Sequence, residues 1–187
     1  MNYDSFSHGQ IQSKVWLCEH LEEFMPTNAE VKIFGSWYNI LAFMLLCRRP
    51  NSYASILGID TDPETKPIAD KINDAWIVND KIVHNLVMDV NIYSFFRDNP
   101  EKTVYVCCSA EHFDNNDWYE QVPEGSLICM QSSSVTDPNP PWSIVAPTPT
   151  LDDLVNRYPM KELCFKGTKN IEYATWGYYR YMIIGRK

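Results

Sequence analysis

Near the start of the chain, apolar residues recur at three- and four-residue steps. Ile11, Val15, Leu17, Cys18, Leu21 and Phe24 are separated by Gln12, Lys14, Glu19, Glu22 and Glu23. This spacing predicts an amphipathic helix over about 9–25, ended by Pro26. Beyond it the pattern changes to short, solid apolar runs, each closed by a polar or glycine residue: Val31–Phe34 before Gly35, Ala54–Ile59 before Asp60, Ile82–Met88 before Asp89, Thr103–Cys108 before Ser109, and Ser126–Gln131 before Ser132. Runs of this length without alternation predict strands covered on both faces. Between them, helices are expected over 39–49, 66–74 and 91–97, and a short helix and turn over 118–125. Residues 132–149 hold five prolines and four serines and predict a long loop. Thr150 with Asp153 three residues on predicts a capped helix to about Tyr158. Two last strands, about 161–166 and 178–184, are expected to pair antiparallel across a turn near Gly167-Thr-Lys-Asn170.

A leading helix, strand–helix units repeated about five times and a closing strand pair predict one α/β domain, three layers around a mostly parallel sheet. The 187 residues carry 45% apolar and 21% charged residues, an ordinary globular balance with room for one core. The net charge of −8 disfavours bulk nucleic acid as a partner, because such binding depends on a basic footprint. The charge is uneven: residues 147–187 hold seven Lys/Arg against four Asp/Glu, and residues 1–146 hold nine against twenty. Lys169, Arg180 and Arg186 would form a local basic face, with a solvated surface as the default. No apolar run approaches the roughly 20 residues of a membrane span, and the first residues lack a secretory pattern. A cytoplasmic protein is expected, and self-association stays open. The six cysteines are scattered, without a C-x-x-C pair, and read as small buried hydrophobes. His8, His20 and His84 have no partner at metal spacing, and the Tyr173–Tyr181 aromatics read as hairpin packing.

In parallel sheets, ligands bind beyond the carboxyl ends of the strands. Here those ends supply Gly35, Ser36, Trp37 and Tyr38; Asp60 and Thr61; Asp89 and Val90; and Ser109, Glu111 and His112. An acid ending the second strand can accept both hydroxyls of a ribose, and one ending the third can accept from an adenine amino group. Both aspartates also suit helix caps and turns, but in this order behind Gly35 they outline a nucleoside pocket. A pyrophosphate cofactor asks for several glycines. This turn has one, followed by Ser36 and two aromatic rings, which favours a cofactor without phosphate such as S-adenosylmethionine (SAM), whose sulfonium suits an aromatic neighbour. Packing of Trp37 and Tyr38 beneath the next helix is the competing reading.

Five segments, Val31-Lys-Ile-Phe-Gly-Ser-Trp-Tyr38, Gly58-Ile-Asp-Thr-Asp-Pro63, Cys108-Ser-Ala-Glu-His112, Gly125-Ser-Leu-Ile-Cys-Met-Gln-Ser132 and Tyr179-Arg-Tyr-Met-Ile-Ile-Gly185, resemble class I SAM-dependent methyltransferases, and more narrowly a small methyltransferase-like group of phages and bacteria. The resemblance implies a Rossmann-like seven-stranded sheet with the last strand antiparallel, and SAM held on Gly35, Asp60 and Asp89. Asn39 stands where that family often has another glycine. Asn tolerates positive φ better than most residues, so the turn can survive.

For methyl transfer, His112 is the candidate base, and Glu111 is expected to orient it or to meet the methionine amino group; a turn cap and a satisfied polar residue are the bland alternatives. Asn139-Pro140-Pro141-Trp142 resembles the Asn-Pro-Pro-aromatic motif of methyltransferases acting on planar nitrogens. It follows strand five rather than strand four, so coincidence competes with a role for Asn139 and Trp142 at the acceptor. The expected function is methyl transfer to a small molecule or protein side chain. A non-catalytic SAM-binding accessory protein and a nicotinamide-dependent oxidoreductase are the rivals.

Overall fold

The computed structural model describes residues 2–79, 82–140 and 142–187. Seven strands form one sheet: β1 (Ala29–Phe34), β2 (Tyr53–Asp60), β3 (Val83–Val87), β4 (Thr103–Cys107), β5 (Leu127–Ser133), β6 (Glu162–Glu172) and β7 (Gly177–Arg186). Their order is β3-β2-β1-β4-β5-β7-β6. The pairs among β1 to β5 are parallel, and β7 runs antiparallel to both β5 and β6. The chain therefore moves outward from β1 to β3, then returns to start β4 on the other side of β1. That reversal opens a crevice at the carboxyl ends of β1 and β4.

Both sheet faces are covered, and this is why the strand runs lack alternation. On one side Val31, Ile33, Val104, Val106, Leu127, Cys129, Met182 and Ile184 pack with α1 (His8–Leu21) and α2 (Ile40–Arg48). On the other, Phe34, Tyr105, Cys107, Ile128, Met130, Tyr181 and Ile183 pack with Trp118 and Tyr119 of α5 (Asp117–Gln121) and Leu154 of α6 (Leu151–Arg157). Odd and even positions of one strand thus feed two different apolar layers. The predicted capping box of α6 is present: Thr150 Oγ1 accepts from the Asp153 amide, and Asp153 accepts from the Thr150 amide.

Several boundaries differ from the sequence expectation. Gly167–Asn170 is not a turn but the middle of β6, and the reversal lies at Tyr173–Trp176. A glycine weakens a strand but does not end it when an adjacent strand supplies the ladder. Here the Gly167 Cα lies against the Phe165 and Trp16 rings, where a Cβ would come within 2.7 Å of Phe165. β5 runs on to Ser133, so the proline-rich loop begins at Ser134. Residues 91–97 form two 3-10 turns rather than one helix. The 66–74 helix is followed by a further short one, giving α3 (Lys66–Ile72) and α4 (Asp74–Val78). The buried side of α1 is also rotated from the expected stripe: Ser13, Lys14 and Trp16 are buried with Leu17, Cys18 and Leu21, whereas Ile11 and Val15 are only half-buried. Polar partners beneath the helix make this possible.

A buried polar chain fixes the entrance to α2. The Asn39 amide donates to Asn85 Oδ1 at 2.7 Å, Asn85 donates to Asp70 at 2.9 Å, and Asn73 donates to the Asn39 carbonyl at 3.2 Å. Gly58 of β2 leaves the space for it, since a Cβ there would sit 2.6 Å from Asn39 Nδ2 and 2.9 Å from Asn85 Oδ1. Gly58→Ala is expected to cost about 2 kcal/mol, within the range for overpacked sites. Urea unfolding checks this, and a loss below about 0.5 kcal/mol would show that the chain gives way freely.

Candidate functional site

The segment leaving β1 reverses through three residues with positive φ: Gly35 (61°), Trp37 (51°) and Asn39 (49°). Gly35 and Asn39 suit that conformation. Trp37 does not, and a bulky residue there costs roughly 1–3 kcal/mol. Its amide donates to Asp60 Oδ2 at 2.7 Å, while the Ser36 amide donates to the Ile59 carbonyl at 3.0 Å. The end of β2 thus holds the strained turn in place. At Gly35, a Cβ would meet the Phe113 ring and Ser109 Oγ at 3.2 Å, so the loop after β4 closes tightly on the glycine.

A cavity of about 850 Å³ opens above this turn. It gathers Gly35, Ser36, Trp37, Tyr38, Asp60, Thr61, Asp89, Val90, Ser109, Glu111, His112 and Trp142, all of them residues singled out in the sequence. Asp60 Oδ1 accepts from the Asp62 amide at 3.0 Å, so each carboxylate oxygen is oriented by one backbone donor and keeps further lone-pair capacity. Asp89 Oδ1 accepts from the Asn91 amide at 2.9 Å, capping the 3-10 turn at Val90–Ile92. Both aspartates are therefore turn-forming residues and cavity residues at once. Tyr38 packs beside Trp37 (ring centroids 5.2 Å apart) and accepts from the Asn2 amide at 2.8 Å. This ties the first residues to the rim, where Asn2, Asp4 and Ser5 also line the cavity.

Beyond β4, Glu111 and His112 point to different partners. Glu111 is buried and its Oε1 accepts from Arg180 Nη1 at 2.7 Å, while its Oε2 is buried without a hydrogen-bond partner among the described residues. Arg180, expected on a solvated basic face, is instead buried on β7. It also donates from Nε to Ser13 Oγ at 3.1 Å and from Nη2 to the Cys108 carbonyl. The guanidinium's apolar surroundings are offset by these acceptors, which is why a surface assignment from charge alone fails. Gln131 completes the cluster: Ser13 Oγ donates to its Oε1 at 3.0 Å, and its Nε2 donates to the Ser13 carbonyl at 3.1 Å. No hydrogen bond joins Glu111 to His112. The exposed His112 ring has Nδ1 3.3 Å from the Ser143 carbonyl. A carbonyl only accepts, so this contact is made when Nδ1 carries the proton and Nε2 is free to accept one.

The proline-rich loop folds across this end of the sheet. The Val145 and Ala146 amides donate to the Glu111 carbonyl at 3.2 and 3.0 Å, and Arg157 donates to the carbonyls of Ala110, Phe113 and Ala146. Trp142 lines the cavity and packs edge-on to Trp176 and Tyr178. Asn139 does not line it: its side chain and amide both donate to Asp137 within an exposed turn. Pro141 lies outside the described residues. In the Asn-Pro-Pro-Trp segment, therefore, Trp142 reaches the cavity and Asn139 is diverted by its own loop. Reading the sequence missed Lys14, Arg180 and Tyr178 as cavity residues; Lys14 and Arg180 each follow or interrupt an apolar stretch, and only burial distinguishes them from surface cations.

Solved methyltransferase structures share this fold. NodS, an N-methyltransferase from Bradyrhizobium japonicum, superposes with a TM-score of 0.66 at 10% identity over 96% of this chain and 97% of that one. Magnesium protoporphyrin IX methyltransferase ChlM from Synechocystis PCC 6803, solved with bound SAM, gives 0.63 at 9% identity over 93% and 78%. A coclaurine N-methyltransferase bound to N-methylheliamine and S-adenosylhomocysteine (SAH) gives 0.67 at 8% identity over 95% and 72%. At such identities the likeness is one of fold. No family model matches the chain, and no curated protein matches it in sequence.

Removing one member of a buried ion pair strands the other, at about 3–5 kcal/mol. Arg180→Met is expected to lose that much in denaturant unfolding, and Arg180→Met combined with Glu111→Leu to regain most of it. A single variant as stable as the parent would mean that the pair does not anchor β7 to β4.

Proposed function

We propose that this chain, which has the fold of the class I SAM-dependent methyltransferases, binds SAM in the cavity above the β1 turn and transfers its methyl group to a small-molecule or protein nucleophile. The observation that carries this reading is the convergence of Asp60, Asp89 and the Gly35 turn on one cavity. Asp60, its two oxygens each already oriented by an amide, would accept from the two ribose hydroxyls. Asp89 would accept from the adenine amino group, with Val90 as an apolar wall. Gly35 and Ser109 leave backbone and small side chain where the methionine portion would lie, and Glu111 Oε2, without a partner among the described residues, would accept from its amino group. With Ser36, Trp37 and Tyr38 following the single glycine, the turn offers little room for a pyrophosphate, which argues against a nicotinamide cofactor.

When bound, SAM supplies an activated methyl group on a sulfonium. The protein's part is alignment, exclusion of water and removal of the acceptor's proton. Glu111 is held by Arg180, so His112 Nε2 is the better-placed base. Trp142 and Tyr178 form the wall on the acceptor's side. The acidic net charge favours a small or protein acceptor over bulk nucleic acid. A SAH-binding protein without transferase activity is the second reading, favoured by the exposure of His112.

Calorimetry with SAH tests the pocket. The unaltered protein is expected to bind SAH and not NAD. Asp60→Asn is expected to weaken SAH by about 100-fold, the loss of two charge-assisted hydrogen bonds at about 1.5 kcal/mol each. Unchanged affinity in Asp60→Asn would remove the ribose contact from this reading. Labelled SAM incubated with fractionated extract then separates the readings: His112→Ala should lower methyl transfer at least tenfold with SAH affinity unchanged.

A further inference from the structure

Three cations are buried among the described residues: Lys14, Lys32 and Arg180. Lys32 pairs with Asp98 at 3.6 Å, and Arg180 pairs with Glu111. Lys14 forms no ion pair with any described carboxylate. Among the described residues its single hydrogen bond runs to the neutral Gln10 Oε1 at 2.6 Å, one helical turn back. An ammonium has three donors, so two remain unused on a group that is 8% exposed. Burying a charge without a partner is costly, and proteins rarely retain such a group without a ligand or a compensating anion.

Lys14 and Gln10 both line the cavity, as do Cys108, Glu111 and Arg180. Lys14 and Gln10 form the part of the wall that α1 contributes, beside Arg180 of β7 and Cys108 and Glu111 after β4, apart from the Asp60 and Asp89 side. We propose that Lys14 is the receiving group for a carboxylate in this cavity, supplied either by the amino-acid portion of the bound cofactor or by the methyl acceptor. The inference rests on the adenosyl-pocket reading. Arg180 differs in that Glu111 already supplies its counter-charge, with Ser13 and the Cys108 carbonyl as further acceptors, whereas Lys14 has no counter-charge among the described residues. Burial is the main influence lowering the Lys14 pKa; Arg180 adds to it and the exposed Asp4 opposes it. A bound carboxylate would supply the missing counter-charge.

The test uses full-length protein carrying Lys14→Met or Lys14→Arg, checked for unchanged circular dichroism and melting. Each is titrated with SAH and with 5′-methylthioadenosine, which keeps the adenosine but lacks the amino-acid portion. SAH-saturated protein is then titrated with acetate and glycine by ligand-observed NMR. If the cofactor supplies the carboxylate, Lys14→Met weakens SAH ten- to hundredfold, leaves methylthioadenosine within twofold, and Lys14→Arg recovers most of the loss. If the acceptor supplies it, SAH is unaffected and Lys14→Met abolishes the acetate and glycine signals seen with the parent. Equal weakening of SAH and methylthioadenosine, or independence of both SAH and acetate from residue 14, overturns the proposal. Failure of the unaltered protein to bind either adenosyl ligand instead overturns the underlying pocket reading, and acetate titrated into the free protein then decides Lys14 alone.

Discussion

The turn from β1 into α2 must reverse the backbone within five residues and still leave open space above it. Three of those residues adopt positive φ, one of them a tryptophan. The Asp60 carboxylate, accepting from the Trp37 amide, holds this conformation from the neighbouring strand. On the far side, Asn39 is locked by Asn85 and Asn73 in the space that Gly58 vacates. The residue proposed to recognise the ribose is therefore the same one that shapes the glycine turn. The proposed ligand recognition and the backbone strain thus share one carboxylate, and strain of this kind persists only where the surroundings over-determine it.

At the other end of the cavity the organising element is a buried charge cluster. Arg180 joins β7 to the end of β4 through Glu111 and the Cys108 carbonyl, and to α1 through Ser13. Gln131 of β5 adds two more bonds to Ser13. An amphipathic helix would normally turn an apolar stripe to the sheet. Here α1 turns a mixed stripe, because the sheet beneath it presents polar groups that need partners. The consequence for function is that α1, which looks like a peripheral addition to the repeating β–α units, becomes a wall of the cavity and contributes Lys14 and Gln10 to it.

Strand identities were legible from the apolar runs because both faces of a parallel sheet are covered, so no alternation dilutes the signal. Residues at strand ends were legible for a related reason: carboxyl ends converge on one side of the sheet whatever the loop lengths. The expected turn at Gly167–Asn170 failed, since glycine marks a turn locally but also permits the Phe165 and Trp16 rings to approach a strand. Asn139 lies outside the cavity, where a short-range hydrogen bond to Asp137 competes for its amide.

From sequence alone come the element order, the mostly parallel sheet and the acids at the ends of β2 and β3, because each depends on local periodicity and on the geometry every such sheet shares. The sequence also marks Asn39 as a residue able to stand in for glycine, and its φ of 49° agrees. The partners of Glu111, the burial of Lys14 and Arg180, and the division of Asn139 from Trp142 depend on contacts between residues far apart in the chain; Arg180 and Ser13 are 167 positions apart. Charge and spacing cannot reveal whether a cation meets water or a carboxylate, since that difference is set by which segments pack over it. Only the assembled fold decides it.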